Sequence, residues 1–106
     1  MIKVTVENYS IIKETMERAP TFVYSILDQV IEGAVYADDE RLHSILFQTK
    51  SGIYYVYGDS SSEQIVSKLV FLLQESIEQN KRFTLFSYSD EWSAKIEQRL
   101  NDNVIN

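Results

Sequence analysis

The sequence predicts an α+β fold: a mixed, mainly antiparallel sheet, built from a meander plus a crossover strand, with helices packed on it. Three β-prone runs follow one another in residues 32–58, and turn-forming segments at residues 38–40 and 51–52 separate them. A long segment with helical periodicity comes next, and a further apolar run occupies residues 83–88. Because a strand that leaves such a helix usually lies parallel to the strand before it, we expect residues 83–88 beside the third run.

Two helices are predicted before the meander. Apolar residues fall at helical spacing in residues 9–19, and this helix should end at Ala19 because Pro20 disfavours helical backbone in the residue before it. A second helix that opens at Pro20 places five apolar side chains on one stripe: Phe22, Val23, Ile26, Leu27 and Val30. Gly33 marks its exit, and the alternation in residues 2–6 predicts a short strand or an ordered tail at the start.

The long helix is predicted over residues 62–79, and Ser-Ser-Ser-Glu at residues 60–63 offers a capping box at its start. Its apolar side chains at helical spacing are Ile65, Leu69, Leu72, Leu73 and Ile77. A shorter helix follows the last strand, capped by Ser89 or Asp90 and closed by Asn101. One side of it carries Trp92, Ile96 and Leu100.

Both alternating sets of positions in the predicted strands carry apolar residues. Ile45 and Phe47 lie on one set and Leu46 on the other, and Tyr55 alternates with Val56 in the same way. A sheet with two apolar faces needs a covering layer on each side.

Composition limits the function. The 106 residues are predicted to form one domain, 1–106, and the 44% of hydrophobic residues supply a core. A net charge of -6 opposes binding to nucleic acid or to an anionic membrane, since both need a basic face. The chain has no cysteine and no apolar run long enough to span a membrane, so we expect a cytoplasmic protein.

Residues that could carry chemistry are few. His43 is the sole histidine and has no partner at ligand or catalytic spacing, which indicates a surface or packed residue. The acidic residues 38–40 are typical of a hairpin tip, and residues 58–62 favour a self-capped helix start over a phosphate site, because only one glycine is present and Asp59 adds negative charge. We therefore predict no catalytic, cofactor-binding or metal-ligating residue.

Four short segments together resemble a known family: Val-Tyr-Ser-Ile-Leu at 23–27, Gly-Ala-Val-Tyr-Ala-Asp-Asp at 33–39, Tyr-Tyr-Val-Tyr-Gly-Asp at 54–59 and Ser-Asp-Glu-Trp at 89–92. In order and spacing they are similar to the N-terminal lobe of the Gcn5-related N-acetyltransferases (GNAT), in the branch that resembles the zwittermicin-resistance acetyltransferase. The resemblance covers residues 9–102 and implies a lobe that precedes a catalytic lobe. In that family the second lobe binds acetyl-coenzyme A through a Gln/Arg-x-x-Gly-x-Gly/Ala loop, and this chain reaches Asn106 without one.

The resemblance implies a non-catalytic lobe without a cofactor of its own. Because the predicted helices are few for a sheet with two apolar faces, we expect a surface that meets either the C-terminal catalytic lobe or a second copy in a homodimer. The candidate interface residues are Tyr54, Tyr55, Tyr57, Phe86 and Tyr88. A free-standing interaction module that dimerises through its sheet is the alternative, and a small hydrolase or metal enzyme is disfavoured by the single histidine and the lack of cysteine.

Overall fold

The computed structural model describes residues 1–104 and contains, among them, a five-stranded sheet and four α-helices. The strands are β1 (Ile2–Lys3), β2 (Gly33–Ala37), β3 (Ser44–Thr49), β4 (Ile53–Gly58) and β5 (Thr84–Ser87). The helices are α1 (Tyr9–Thr15), α2 (Thr21–Leu27), α3 (Glu63–Glu78) and α4 (Asp90–Val104), and a 3-10 turn at Val6–Asn8 precedes α1.

The strands lie side by side in chain order, from β1 to β5. The pairs β1–β2, β2–β3 and β3–β4 are antiparallel, whereas β4–β5 is parallel because α3 carries the chain back across the sheet. The predicted α+β class, with a meander followed by a crossover strand, is confirmed.

The sheet separates two hydrophobic cores, because successive side chains of a strand point to opposite faces. The first core contains Val4, Ile12, Met16, Val23, Ile26, Leu27, Val35, Ala37, Ile45, Phe47 and Tyr55. The second core contains Leu46, Tyr54, Val56, Ile65, Val66, Leu69, Val70, Leu72, Trp92 and Ile96. Helices α1 and α2 cover the first face and α3 and α4 cover the second, so the expectation that the helices are too few to cover both faces is wrong.

The first two helices are shorter than predicted. Helix α1 ends at Thr15, because Met16 takes an extended conformation (φ −80°, ψ 131°) in which its side chain is buried in the first core. Pro20 precedes α2 without entering it. Val30 lies beyond the end of α2 and is 75% exposed, so its predicted place on the buried stripe is wrong.

The last two helices match their predicted positions with two differences. Ile77 lies on the outer side of α3 and is 72% exposed. Helix α4 continues past the predicted stop at Asn101, although Trp92 and Ile96 are buried as expected. Across residues 1–104, no helix combines the length and the hydrophobicity that crossing a membrane requires.

Gly58 closes the meander in a backbone conformation that other residues rarely adopt. Its φ is +100°, and a Cβ atom on it would lie 2.0 Å from the carbonyl oxygen of His43. A side chain at this position would therefore meet both backbone strain and a direct clash with main-chain atoms.

Replacing Gly58 with alanine should lower the free energy of unfolding by about 3 kcal/mol, because both costs act on the same turn. Urea denaturation measures the loss. Asn80→Gly is the matched control: Asn80 also has a positive φ, of 53°, and glycine relieves it. The control should change stability by less than about 1 kcal/mol. An alanine variant as stable as the original chain would contradict this description of the turn.

Candidate functional site

The turn before α3 is the first candidate site, because free backbone amides at a helix N-terminus bind anions. Here the chain's own side chains accept from one amide just before the helix and from one in its first turn: Asp59 Oδ1 accepts from the Ser61 N–H at 2.9 Å, and Ser62 Oγ accepts from the Ile65 N–H at 3.5 Å. The hydrogen bond from the Ser61 backbone lowers the pKa of Asp59, so its carboxylate is charged at neutral pH. The predicted self-capped helix start is confirmed.

Further hydrogen bonds fix this turn to the neighbouring elements. The Asp59 N–H donates to the His43 carbonyl at 3.0 Å, and the buried Ser44 hydroxyl donates to the Asp59 carbonyl at 2.5 Å. Ser60 Oγ donates to Glu91 Oε2 at 2.9 Å and thereby ties the turn to α4. The turn is held closed, with its polar groups directed at one another.

The acidic hairpin tip has the turn geometry that its composition predicts. Asp38 Oδ1 accepts from the Ser44 N–H at 3.2 Å, and Asp39 Oδ1 accepts from the Arg41 N–H at 2.8 Å. In the part of the chain that the structure describes, no group of three or more His, Cys, Asp and Glu side chains could hold a metal ion. The side chain of His43 is exposed beside this tip.

A depression between α2 and β2 also lacks a catalytic arrangement. It has a volume of about 600 Å³ and lies where the end of α2 meets β2, with Lys3, Tyr9 and Gln48 in its lining. Two of its charged side chains, Lys50 and Glu32, form an ion pair with each other at the exposed rim. Nucleophile, base and oxyanion donors do not converge there.

The five candidate interface residues fall into two groups. Tyr54 and Tyr55 are buried, with 7% and 3% exposure, and belong to the second and the first core respectively. Tyr57 is partly buried against the first core, while Phe86 and Tyr88 are 47% and 53% exposed. The residues available to a partner are therefore at β5, and the two buried tyrosines serve the interior.

An aromatic cluster surrounds this edge of the sheet; we call it the β5 edge cluster and define it as Phe22, Tyr57, Phe86 and Tyr88. The rings of Tyr57 and Tyr88 meet edge-on with centroids 4.7 Å apart, and those of Phe22 and Phe86 are 6.2 Å apart. The sequence pattern predicts that Phe22 lies on the buried stripe of the second helix. Its position beside β5 depends on the tertiary fold.

Tyr55 anchors the strand behind this cluster. Its hydroxyl donates to the carbonyl of Arg18 at 3.2 Å, which links β4 to the segment between α1 and α2. Burial raises the pKa of Tyr55 to about 12, with smaller contributions from the neighbouring tyrosines. The folded structure therefore contains the neutral form of the Tyr55 hydroxyl.

Tyr55→Phe tests this anchor through pH. The unfolded chain loses the tyrosine proton near pH 10, about two pH units before the folded one, so this contribution to stability is complete below about pH 10 and falls as pH rises toward 12. The variant should remove that alkaline loss and lower stability at neutral pH by about 1 kcal/mol, since the Arg18 carbonyl loses its donor.

Urea titrations at neutral and alkaline pH measure both effects. Tyr88→Phe is the control, because it removes a hydroxyl from a side chain that is 53% exposed and should leave stability at neutral pH unchanged. Equal alkaline loss in the Tyr55 variant and the original chain would rule out the anchor as the cause.

Comparison with known proteins agrees with the fold. The chain matches the family described as GNAT acetyltransferase over residues 10–106. It is 41% identical over 105 residues to an uncharacterized N-acetyltransferase, YdfB, of Bacillus subtilis (strain 168). That alignment covers 96% of this chain and 40% of the relative, so the chain spans about two fifths of the relative's length. No solved structure matches it.

The family match extends over nearly the whole chain, including α2 to α4, all but the first residue of α1, and the strands β2 to β5. The resemblance carried by the four short sequence segments is thereby confirmed. This chain belongs to the GNAT acetyltransferase family.

Proposed function

We propose that this chain is the N-terminal, non-catalytic lobe of a longer acetyl-coenzyme A-dependent N-acetyltransferase. Alone, it neither binds the cofactor nor transfers an acetyl group. Its family membership and the relative that is more than twice as long support a part within a larger enzyme. The relative is named as an N-acetyltransferase, which supports the reaction class.

The capped and negatively charged start of α3 is the observation that carries the proposal. A pyrophosphate needs several free backbone N–H groups that converge on it. At α3, the Asp59 carboxylate and the Ser62 hydroxyl accept from the N–H groups of Ser61 and Ile65. An incoming anion would have to displace a carboxylate and then lie beside Asp59 and the first-turn Glu63, both of which repel it.

The backbone of this turn also disfavours binding of the cofactor. Gly58 packs closely on the His43 carbonyl, and Ser44 and Glu91 hold the residues that follow. Opening the turn would break these hydrogen bonds together. The residues present therefore do not fit the cofactor, and we assign acetyl-coenzyme A to the C-terminal catalytic lobe of the longer enzyme.

The role of this lobe is then that of a scaffold. Its exposed aromatic residues at β5, Phe86 and Tyr88, offer a surface to which another domain can attach. The same exposure favours the second candidate function, a free-standing module that associates through its sheet. We place the protein in the cytoplasm, which is compatible with a sequence that contains no cysteine.

Calorimetric titration of acetyl-coenzyme A into this chain tests the proposal. We expect no saturable heat at ligand concentrations up to about 1 mM, the upper end of typical Michaelis constants. The longer Bacillus subtilis relative is the control and should bind under the same conditions. Micromolar binding by this chain alone would overturn the proposal.

A matched pair of variants tests which feature of the turn prevents anion binding, and it controls for a general loss of fold. Asp59→Asn keeps the size of the side chain and removes the charge at the α3 turn, while Asp39→Asn makes the same change at the hairpin tip. If only the carboxylate excluded the anion, the first variant would gain binding. We expect neither to bind, because the closed backbone of the turn remains in both.

A further inference from the structure

Another depression lies at the opposite end of α3 from the capped turn, between the β3–β4 hairpin and the residues that follow the helix. Its volume is about 350 Å³, which is at the lower end of the range for small-molecule sites. We call it the α3-end pocket and define it by five of its lining residues: Gln48, Tyr54, Glu75, Lys81 and Arg82.

Main-chain contacts hold the walls of this pocket in place. The Thr84 N–H donates to the carbonyl of Gly52 at 2.9 Å. The Lys81 N–H donates to the carbonyl of Ser76 at 2.8 Å. Gly52 has a φ of +82°, and a Cβ atom on it would clash with the carbonyl of Arg82. The hairpin and the end of α3 are therefore joined directly, and the pocket between them is preformed.

Side chains with spare acceptor capacity line the interior of the pocket. The Glu75 carboxylate is partly buried and takes part in no ion pair within residues 1–104. Burial raises the pKa of Tyr54, and the nearby charge of Glu75 raises it further, so the neutral hydroxyl lies close to the carboxylate. The side-chain oxygen of Gln48 is buried and accepts no hydrogen bond in the described part of the chain. An N–H donor bound in the pocket would supply the partner that this oxygen lacks.

The end of α3 makes the interior more negative. The last carbonyl groups of a helix carry a partial negative charge. The last turn of the described helix Glu63–Glu78 contains no basic residue that would offset this charge. A ligand group that enters the interior should therefore be cationic and rich in N–H donors, and a primary ammonium group has both properties.

The mouth of the pocket carries the opposite charge. Lys81 and Arg82 are both exposed, and neither forms an ion pair within residues 1–104. Both side chains donate hydrogen bonds to carboxylate groups, and their positive charge strengthens those bonds. Leu72, which is 8% exposed, and the ring of Tyr54 add an apolar wall. The pocket therefore presents complementary surfaces to an ammonium group, a carboxylate and an apolar group.

We propose that the α3-end pocket binds a small zwitterion, an α-amino acid with an apolar side chain. Its ammonium group donates to the Glu75 carboxylate and to the hydroxyl of Tyr54. Its carboxylate accepts from Lys81 and Arg82, and its apolar side chain lies against Leu72. The Lys81 ammonium group does not pair with Glu75 in the structure, so the carboxylate is available to the ligand.

This site recognises its ligand without acetylating it. An ammonium group held by a carboxylate keeps its proton, whereas an amine must lose that proton before it can attack an acetyl group. The inference therefore does not depend on acetyl transfer. Titration with acetyl-coenzyme A tests the proposed function, and titration with an amino acid tests the pocket, so either can fail without the other.

Titration with L-leucine, followed by NMR of the backbone amides, tests the pocket. We expect saturable binding with a dissociation constant of about 1 mM or below. The amide shifts should be largest in residues 48–54 and 72–82, which contain the lining residues. N-acetyl-L-leucine lacks the ammonium group and L-leucinamide lacks the carboxylate, so each should bind about tenfold more weakly.

A matched pair of variants tests the carboxylate. Glu75→Gln keeps the size of the side chain and should weaken L-leucine binding about tenfold, because the ammonium group loses its charged partner. Glu78→Gln makes the same change in the same helix. Glu78 is exposed and does not line the pocket, so this control should bind as the original chain does. Circular dichroism of each variant checks that the fold is retained.

A crossed comparison tests the mouth of the pocket. Lys81→Gln should weaken the binding of L-leucine without weakening that of L-leucinamide, since the amide has no carboxylate to lose contact with. Glu75→Gln should weaken the binding of both. A general change in the shape of the pocket would affect both ligands in both variants.

Any of three results would refute the proposal. The first is the absence of saturable L-leucine binding up to about 10 mM. The second is binding of N-acetyl-L-leucine as tight as that of L-leucine, since it requires no ammonium group. The third is tighter binding of L-leucine by Lys81→Gln, which would mean that the Lys81 side chain competes for the site.

Discussion

The requirement to fill both faces of β3 and β4 governs the rest of this structure. Along β3, Ile45 and Phe47 belong to one core while Leu46, between them, belongs to the other. A slip of a single residue in strand pairing would send every one of these side chains to the wrong face. The helices are constrained in turn, because each pair must match a surface that the sheet has already defined.

The elements that could be predicted from sequence are those in which local pattern and burial agree. The long helix α3 and the parallel placement of β5 follow from periodicity and from the handedness of crossover connections. The helix boundaries were harder to predict. Met16 leaves helical geometry so that its side chain reaches the first core, and α2 ends before Val30. Tertiary packing determines where these helices end, and a single sequence does not show that packing.

The candidate surface could be predicted only in part for a related reason. Tyr54, Tyr55 and Tyr57 are neighbours of identical chemistry in one strand, and which of them is buried depends on the helix above each face. Phe86 was identifiable as part of an exposed edge, but its contact with Phe22 joins residues far apart in the chain. The closed turn before α3, in contrast, was readable from Asp59 and the serines that follow it.

Trp92 gives this molecule a built-in optical reporter. It is the single tryptophan of the sequence, it is fully buried in the second core, and its indole N–H finds no acceptor within the described part of the chain. Its fluorescence emission should therefore be blue-shifted and should respond to loosening of the α3–α4 layer. Tyrosine absorbance sums over all seven tyrosines of the sequence, so its comparison with the Trp92 signal distinguishes concerted melting from the separate opening of the α3–α4 layer.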